Sequence, residues 1–418
     1  MSAVEVSEID LIDNSSYRAG IPHELFSALR EAGAVHRHRP VEVLPGEGEN
    51  GFWSVVRHAE VQQANRDWET FTATESVGIG RGSKDRHGHM LVSMDPPDHT
   101  RLRRLITAGF TPRMIGRLEE HIAHRTERIL DAAASTGACD FVRDIAYQLP
   151  MHVIADIVGI PDADRPWIFE RTDLMLRAID PNSSVSFDTQ RTVQIELFEY
   201  ARKLTEEKRS RPADDVWTLI AQAEIPAEDG TITRLEGMEL EMFFVILTIA
   251  GSETTRNALA QGLMALLDHP DQLDELRAAP ELLPLATEEI IRWSSPVLYF
   301  GRTATRATEL GGQHIAAGDR VVLWYPSANR DERAFDEPFR FDIHRDPNPH
   351  VSFGGGGPHF CLGANLARKE VQVMTGMLFD RFDVRPTGEP VWIGAGPVHN
   401  VGVSIDHLPV ELTPRRRT

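Results

Sequence analysis

Cysteine is nearly missing from this chain: Cys139 and Cys361 are the only two in 418 residues, far apart and without a C-x-x-C spacing. Such scarcity excludes a disulfide framework and argues against a zinc site. Positive charge is also short. The 44 Lys and Arg stand against 63 Asp and Glu, a formal net charge of −19, so no general affinity for nucleic acid or anionic membranes is expected. The longest apolar run, Met242–Gly251, is interrupted by Thr248 and is too short to span a bilayer. The first residues, MSAVEVSEIDLID, are acidic and lack an apolar core, so no secretory signal is expected and a cytoplasmic location is. Repeats, low-complexity tracts and linker-like Ser/Gly runs are missing too. A single domain over residues 1–418 is the expectation.

What is present is mostly helical patterning. Apolar residues recur at three-to-four spacing in Ile21–Gly33, His58–Asp67, Pro112–Ala134, Phe141–Gly159, Asp188–Arg211 and Leu282–Trp293. Strand patterns are few: Gly51–Val56, Tyr299–Ala317 with Arg320–Tyr325, where Gly311-Gly312 and Ala317-Gly318-Asp319 supply the turns, and Val401–Leu412. The spacing therefore predicts a mainly α chain with small β-sheets, not an alternating α/β layout. Gly237–Pro270 keeps a helical pattern about three times the usual helix length. A helix that long, and apolar in its middle, is expected to run through the interior.

Four glycines lead into the second cysteine in Phe353–Glu370, FGGGGPHFCLGANLARKE. A dinucleotide-binding G-x-G-x-x-G fails, because His359 and Phe360 stand where a third glycine is needed. No Gly-Lys-Ser/Thr follows, so a P-loop fails as well, and no neighbouring base supports a cysteine nucleophile. A thiolate metal ligand fits better. A cysteine just before a helix gains from the helix dipole and from unpaired backbone N–H groups, and glycines let backbone approach the sulfur and a flat macrocycle closely. One thiolate without companion ligands suits haem iron, whose in-plane positions the porphyrin fills.

The run FGGGGPHFCLG resembles the haem-binding loop of the cytochrome P450 family, the haem-thiolate monooxygenases. One departure is that Phe353 lies eight residues before Cys361 where seven is commoner. The longer form resembles a bacterial, actinobacterial subgroup acting on sterols and methyl-branched lipids. DPNPHVSFGGGGPHFCLGANLAR and SANRDE share that likeness. The resemblance covers the chain from about Gly51 to the C-terminal strands and is strongest over Met242–Glu370. It implies a P450 fold with a long central helix over the haem, haem b (iron protoporphyrin IX) as cofactor, and Cys361 as axial thiolate, with Phe353 and Gly355 in the loop that holds the haem.

Other residues take roles from the same likeness. Ala250-Gly251-Ser252-Glu253-Thr254-Thr255 looks like the family's acid–alcohol pair, in which Thr254 and Glu253 manage proton delivery beside Ala250. Gly251 and a Thr254 hydroxyl turned back to the Ala250 carbonyl predict a local kink there. His99, Arg103, Arg302 and His359 match positions that contact the haem propionates. Glu289, Arg292 and Arg340 look like the family's Glu–Arg–Arg structural network. The implied substrate pocket consists of Val77, Ile79, Met90, Val92, Ile246, Ala250, Thr254, Val297, Leu298 and Val401. Their aliphatic character points to a sterol, terpenoid or branched alkyl chain.

The implied reaction is insertion of one oxygen atom of dioxygen into a C–H bond of an apolar substrate. No flavin-binding segment is apparent, so electrons are expected from a ferredoxin and a ferredoxin reductase fed by NADPH or NADH. Arg103, Arg104, Arg113, Arg117, Arg368 and Lys369 are expected to form the docking patch. Two alternatives stand beside this reading: a haem-thiolate sensor without turnover, and a peroxide-driven haem enzyme. The acid–alcohol pair argues against both.

Overall fold

Runs of apolar residues at helical spacing give thirteen helices among the described residues. The computed structural model describes residues 8–38, 51–80, 90–107, 112–177, 185–226, 231–394, 400–401 and 403–415. The helices are α1 (His23–Ala32), α2 (His58–Arg66), α3 (Asp98–Thr107), α4 (Pro112–Ala134), α5 (Gln148–Val158), α6 (Arg165–Arg177) and α7 (Phe187–Ser210). They continue with α8 (Val216–Gln222), α9 (Gly237–Asp268), α10 (Pro270–Ala278), α11 (Leu283–Ser294), α12 (Tyr325–Ala328) and α13 (Ala364–Arg381). At 1.5 Å per residue, the 32 residues of α9 reach about 48 Å.

Packing explains why α9 can be so long and apolar. It lies against α5, α7, α11 and α13, and Phe243, Phe244, Leu259, Leu263 and Leu266 on it are at most 4% exposed. Gly262 makes one of these approaches possible, since a Cβ there would lie 2.6 Å from Ile290 Cγ2 on α11. The helical core continues into α4, where Ile122 and Leu130 are buried, and ends on Phe379 and Phe382.

Five strands make the main sheet. In chain order they are β1 (Val35–Arg37), β2 (Phe52–Val55), β3 (Phe71–Thr72), β7 (Tyr299–Ala304) and β10 (Arg320–Trp324), while β4 (Ala138–Asp140), β5 (Ile225–Pro226), β6 (Ile232–Thr233), β8 (Thr308–Leu310) and β9 (Gln313–Ile315) belong to smaller sheets. Their spatial order is β1-β2-β10-β7-β3. β10 pairs in parallel with β2, placing Arg320 beside Phe52, and antiparallel with β7, placing Val321 opposite Arg302. One face of the sheet carries Phe52, Tyr299, Val322 and Trp324 into a core with Tyr17 and Phe26. The other carries Val55, Val321 and Leu323 into a second core with Val61 and with Tyr325 of α12.

The small strands occur as predicted in kind, but the boundaries differ. Within Tyr299–Ala317 the turn falls on Gly311 and Gly312 as expected, both at positive φ, and after β7 it joins Thr308–Leu310 to Gln313–Ile315 in a separate hairpin. The C-terminal stretch likewise splits into Val403–His407 and Pro409–Pro414.

Candidate active site

The cysteine loop owes its shape to its glycines. Gly354, Gly355, Gly356 and Gly357 have φ of 97°, 66°, 113° and 80°, a left-handed run that residues with a Cβ rarely adopt. The same glycines let the loop lie on α2: a Cβ on Gly357 would sit 2.5 Å from the Asn65 carbonyl oxygen. The loop closes when the Cys361 N–H donates to the Phe353 carbonyl at 3.0 Å.

Cys361 lies immediately ahead of α13. Its side chain is deep among protein atoms yet keeps accessible surface. Burial pushes its thiol pKa up, against the Gly363 backbone N–H and the charges of Arg103 and Arg368, which favour the thiolate. A bound metal cation is the partner that tips such a balance toward thiolate.

Four nitrogen-rich side chains gather from three distant segments. His99 on α3 is 1% exposed, and neither of its ring nitrogens has a hydrogen-bond partner. Its ring centroid is 4.7 Å from that of His359, whose Nε2 is 3.5 Å from Asp95 Oδ1. Arg103, one turn after His99, donates to the Pro358 carbonyl at 3.2 Å. Arg302 on β7 is 2% exposed and donates to the Gly301 carbonyl at 2.8 Å and to Asn65 Oδ1 at 3.3 Å.

No carboxylate pairs with Arg302 among the described residues. Burial lowers its pKa, and burial with the nearby charges of His359 and Arg103 takes His99 down to about 4. Buried donors left short of acceptors, His99 above all, are costly unless an anion completes the set. Two carboxylates on the edge of a macrocycle would do so, and the donor set fits haem propionates.

On α9, Ile246, Ala250 and Thr254 fall one turn apart and keep surface, whereas Thr248 and Ser252 on the other side are fully buried. The Thr254 hydroxyl donates to the Ala250 carbonyl at 2.9 Å. Helical structure continues unbroken through Gly251. That glycine has a packing reason of its own, because a Cβ there would lie 2.7 Å from Ile154 Cδ1 on α5. Glu253 is 5% exposed and ion-paired with Arg256. Arg256 also reaches Ser404 Oγ at 3.4 Å and lies 6.0 Å from the Tyr147 ring centroid. The other Glu253 oxygen, Oε2, is buried without a partner.

The structural ion network has a different third member from the one expected. Glu289 and Arg292 are fully buried and paired at 2.7 Å. The second arginine on Glu289 is Arg345, at 3.1 Å and 8% exposed. Arg340 is 60% exposed and paired with Glu337. It contributes only its backbone carbonyl, which accepts from Arg292 at 3.2 Å and Arg345 at 3.0 Å. Both arginines lie in one irregular stretch, FRFDIHR, where no periodicity says which side chain turns inward.

Two expected pocket residues belong to the core. Ile79 and Leu298 are 3% and 1% exposed and pack with Tyr17, Tyr299 and Trp324. Val77, Met90, Val92, Val297 and Val401 are half-buried and retain surface. The expected docking patch is also altered: Arg368 is paired with Glu288 and Lys369 with Glu119, and the side chains of Arg113 and Arg117 lie outside the described residues. Glu370 was not foreseen. It is 2% exposed, one of its oxygens has no partner, and burial raises its pKa well above the carboxylate range.

The Cytochrome P450 family model matches residues 169–397. Cytochrome P450 126 of Mycobacterium tuberculosis is 43% identical, over 98% of this chain and 99% of its own length. A steroid C26-monooxygenase of Rhodococcus jostii is 38% identical, over 94% of this chain and 83% of its own. Among solved structures, a Mycobacterium marinum cytochrome P450 in complex with pseudoionone superposes with a TM-score of 0.88 at 37% identity, covering 98% of this chain and 100% of that one. With the thiol-bearing glycine loop, the cluster of arginine and histidine donors and these relatives together, the chain belongs to the cytochrome P450 family of monooxygenases.

Proposed function

We propose that this monooxygenase binds haem b through the Cys361 thiolate and hydroxylates a sterol, terpenoid or branched alkyl chain with electrons from a ferredoxin. The observation that carries the haem assignment is the anion-seeking cluster of His99, Arg103, Arg302 and His359, beside a cysteine loop bent by four left-handed glycines. The four cations and donors would hold the two propionates, and the Phe353–Cys361 loop would present the sulfur. When bound, the haem supplies dioxygen activation and oxygen insertion into the C–H bond.

The chain's own contribution is orientation and proton control. The stripe Ile246, Ala250 and Thr254, with Val77, Val297 and Val401, offers an apolar wall that orients substrate by shape and excludes water. Thr254 holds a hydroxyl on that wall, already hydrogen-bonded to Ala250. Glu253 would carry protons inward from the Arg256 side, its free Oε2 being the acceptor site. An apolar substrate agrees with the steroid activity of one relative.

The deciding experiment is a panel of sterols, terpenoids and branched lipids, scored by the low-to-high-spin absorbance change and then by product with a surrogate ferredoxin, its reductase and NADPH. A hydroxylated product formed in step with NADPH consumption supports the proposal. Spectral binding without any turnover would instead favour a sensor.

A further inference from the structure

One ion cluster outside the groups above touches the cysteine loop directly. Glu288 on α11 accepts from Arg368 Nε at 2.6 Å and Nη2 at 2.9 Å. Its Oε2 also lies 3.0 Å from His350 Nε2, on a side chain only 2% exposed. The Arg368 guanidinium carbon is 4.5 Å from the centroid of the Phe353 ring, and the His350 ring packs on the same phenyl at 5.7 Å. The Phe353 carbonyl in turn accepts the Cys361 N–H at 3.0 Å. A chain of contacts therefore runs from a carboxylate on α11 to the backbone of the cysteine.

The chemistry of this clasp is specific to its residue types. A guanidinium is planar, and its fork meets a carboxylate in two parallel hydrogen bonds, which fixes its plane. Held by Glu288, that plane is kept over the phenyl, where the ring attracts the cation. Burial pushes the Glu288 carboxyl up, but hydrogen bonds from His350 and Arg368 outweigh it and hold the group at about 2, so it is ionised throughout the working range. Arg368 is also one of the two side-chain charges that favour the Cys361 thiolate.

We propose that Glu288 is a positioning residue for the Cys361 thiolate, acting by holding Arg368 flat on Phe353 and so fixing the loop that carries the sulfur. This rests on Cys361 being the axial ligand. Without the carboxylate, Arg368 is free to leave for solvent, Phe353 loses its cover on one face, and the loop relaxes around the cysteine.

The test compares wild type, Glu288→Gln, Glu288→Ala and Arg368→Lys, all with Cys139→Ser, as haem-loaded and haem-free full chains. In reduced samples with carbon monoxide, the lifetime of the red-shifted thiolate Soret band is followed as it converts to the thiol-type band. Glu288→Ala and Arg368→Lys are expected to shorten it by about tenfold, the effect of one lost bidentate charged pair, with Glu288→Gln between them and wild type. In haem-free chains, alkylation of Cys361 by a maleimide is expected to accelerate in the same order.

A lysine keeps the charge of Arg368 but not its plane, so a wild-type lifetime for Arg368→Lys would overturn the clasp. Unchanged lifetime and alkylation in Glu288→Ala would do the same. If that variant fails to fold, Glu288→Gln decides by the same two measurements. A wild-type chain that never shows the red-shifted band would overturn the ligand assignment instead, so the two failures are distinguishable.

Discussion

Gly301 on β7 and Gly78 meet backbone to backbone: a Cβ on Gly301 would fall 2.1 Å from the Gly78 carbonyl oxygen. The Gly301 N–H donates to the Val77 carbonyl at 2.8 Å, and Arg320 binds the carbonyls of Ser76, Gly78 and Ile79. Residues 76–79 are thereby fastened to the sheet one residue away from Arg302, and Val77 is left with the surface a substrate could touch.

Gly301→Ala is accordingly expected to cost about 2–3 kcal/mol, because the methyl meets backbone and a buried guanidinium that cannot yield. Urea denaturation measures that loss. Substrate affinity from spin-state titration should fall with it, and a variant with wild-type stability and affinity would show that the segment is not held here.

Thr254→Ala should leave fold and haem content intact, since alanine has the better helix propensity. NADPH consumption should continue while product falls by about tenfold and hydrogen peroxide rises, the loss expected for a positioned proton donor. Glu253→Gln should instead slow NADPH consumption itself. Parallel measurement of NADPH, peroxide and product distinguishes the two, and a fully coupled Thr254→Ala would remove Thr254 from the proton path.

Arg345→Ala should destabilise the chain by about 2–4 kcal/mol, because it leaves the fully buried Glu289 with one cation instead of two. Arg340→Ala should be indistinguishable from wild type in the same denaturation, its side chain being in solvent. Equal losses in both variants would contradict the inward placement of Arg345.

Glu370 makes stability depend on pH. Burial raises its pKa well above the usual 4.5, so the folded chain keeps a proton that the unfolded chain releases above that pH. The folded state then binds more protons, and stability falls as pH rises from there. Glu370→Gln cannot ionise, so it should match wild type near about pH 4.5 and exceed it by a growing margin toward about pH 8. Parallel urea midpoints at every pH would rule this out.

Ferredoxin-supported turnover should fall as ionic strength rises, through Arg104, which is exposed on the last turn of α3. Arg104→Glu should weaken it further while leaving reduction by dithionite unchanged. A flat salt profile would exclude electrostatic docking.

Much of this was readable beforehand because it rests on local rules. The long apolar period over α9 predicted an interior helix, four glycines before Cys361 predicted close backbone approach around the sulfur, and the spacing of His99 and Arg103 put them on one helix face. Arg345 was misread as Arg340 because side-chain direction in a turn follows from what the turn packs against. Ile79 and Leu298 look like pocket aliphatics, and only the sheet core around Tyr17 and Phe26 shows them spent on Tyr17 and Trp324. Arg256 was legible as the i+3 partner of Glu253 but carries no mark of its own.

The parallel pairing of β2 with β10 sets an order of events during synthesis. Phe52–Val55 leaves the ribosome early and waits, its hydrogen-bonding edge unmatched, until Arg320–Leu323 has been made. His99 and Arg302 are likewise separated by nearly half of the chain, and Cys361 comes later still. Contacts of such sequence separation form slowly and late. Haem capture through the proposed residues would therefore be a step for the nearly finished polypeptide, and a shortage of haem would be met by an almost complete chain.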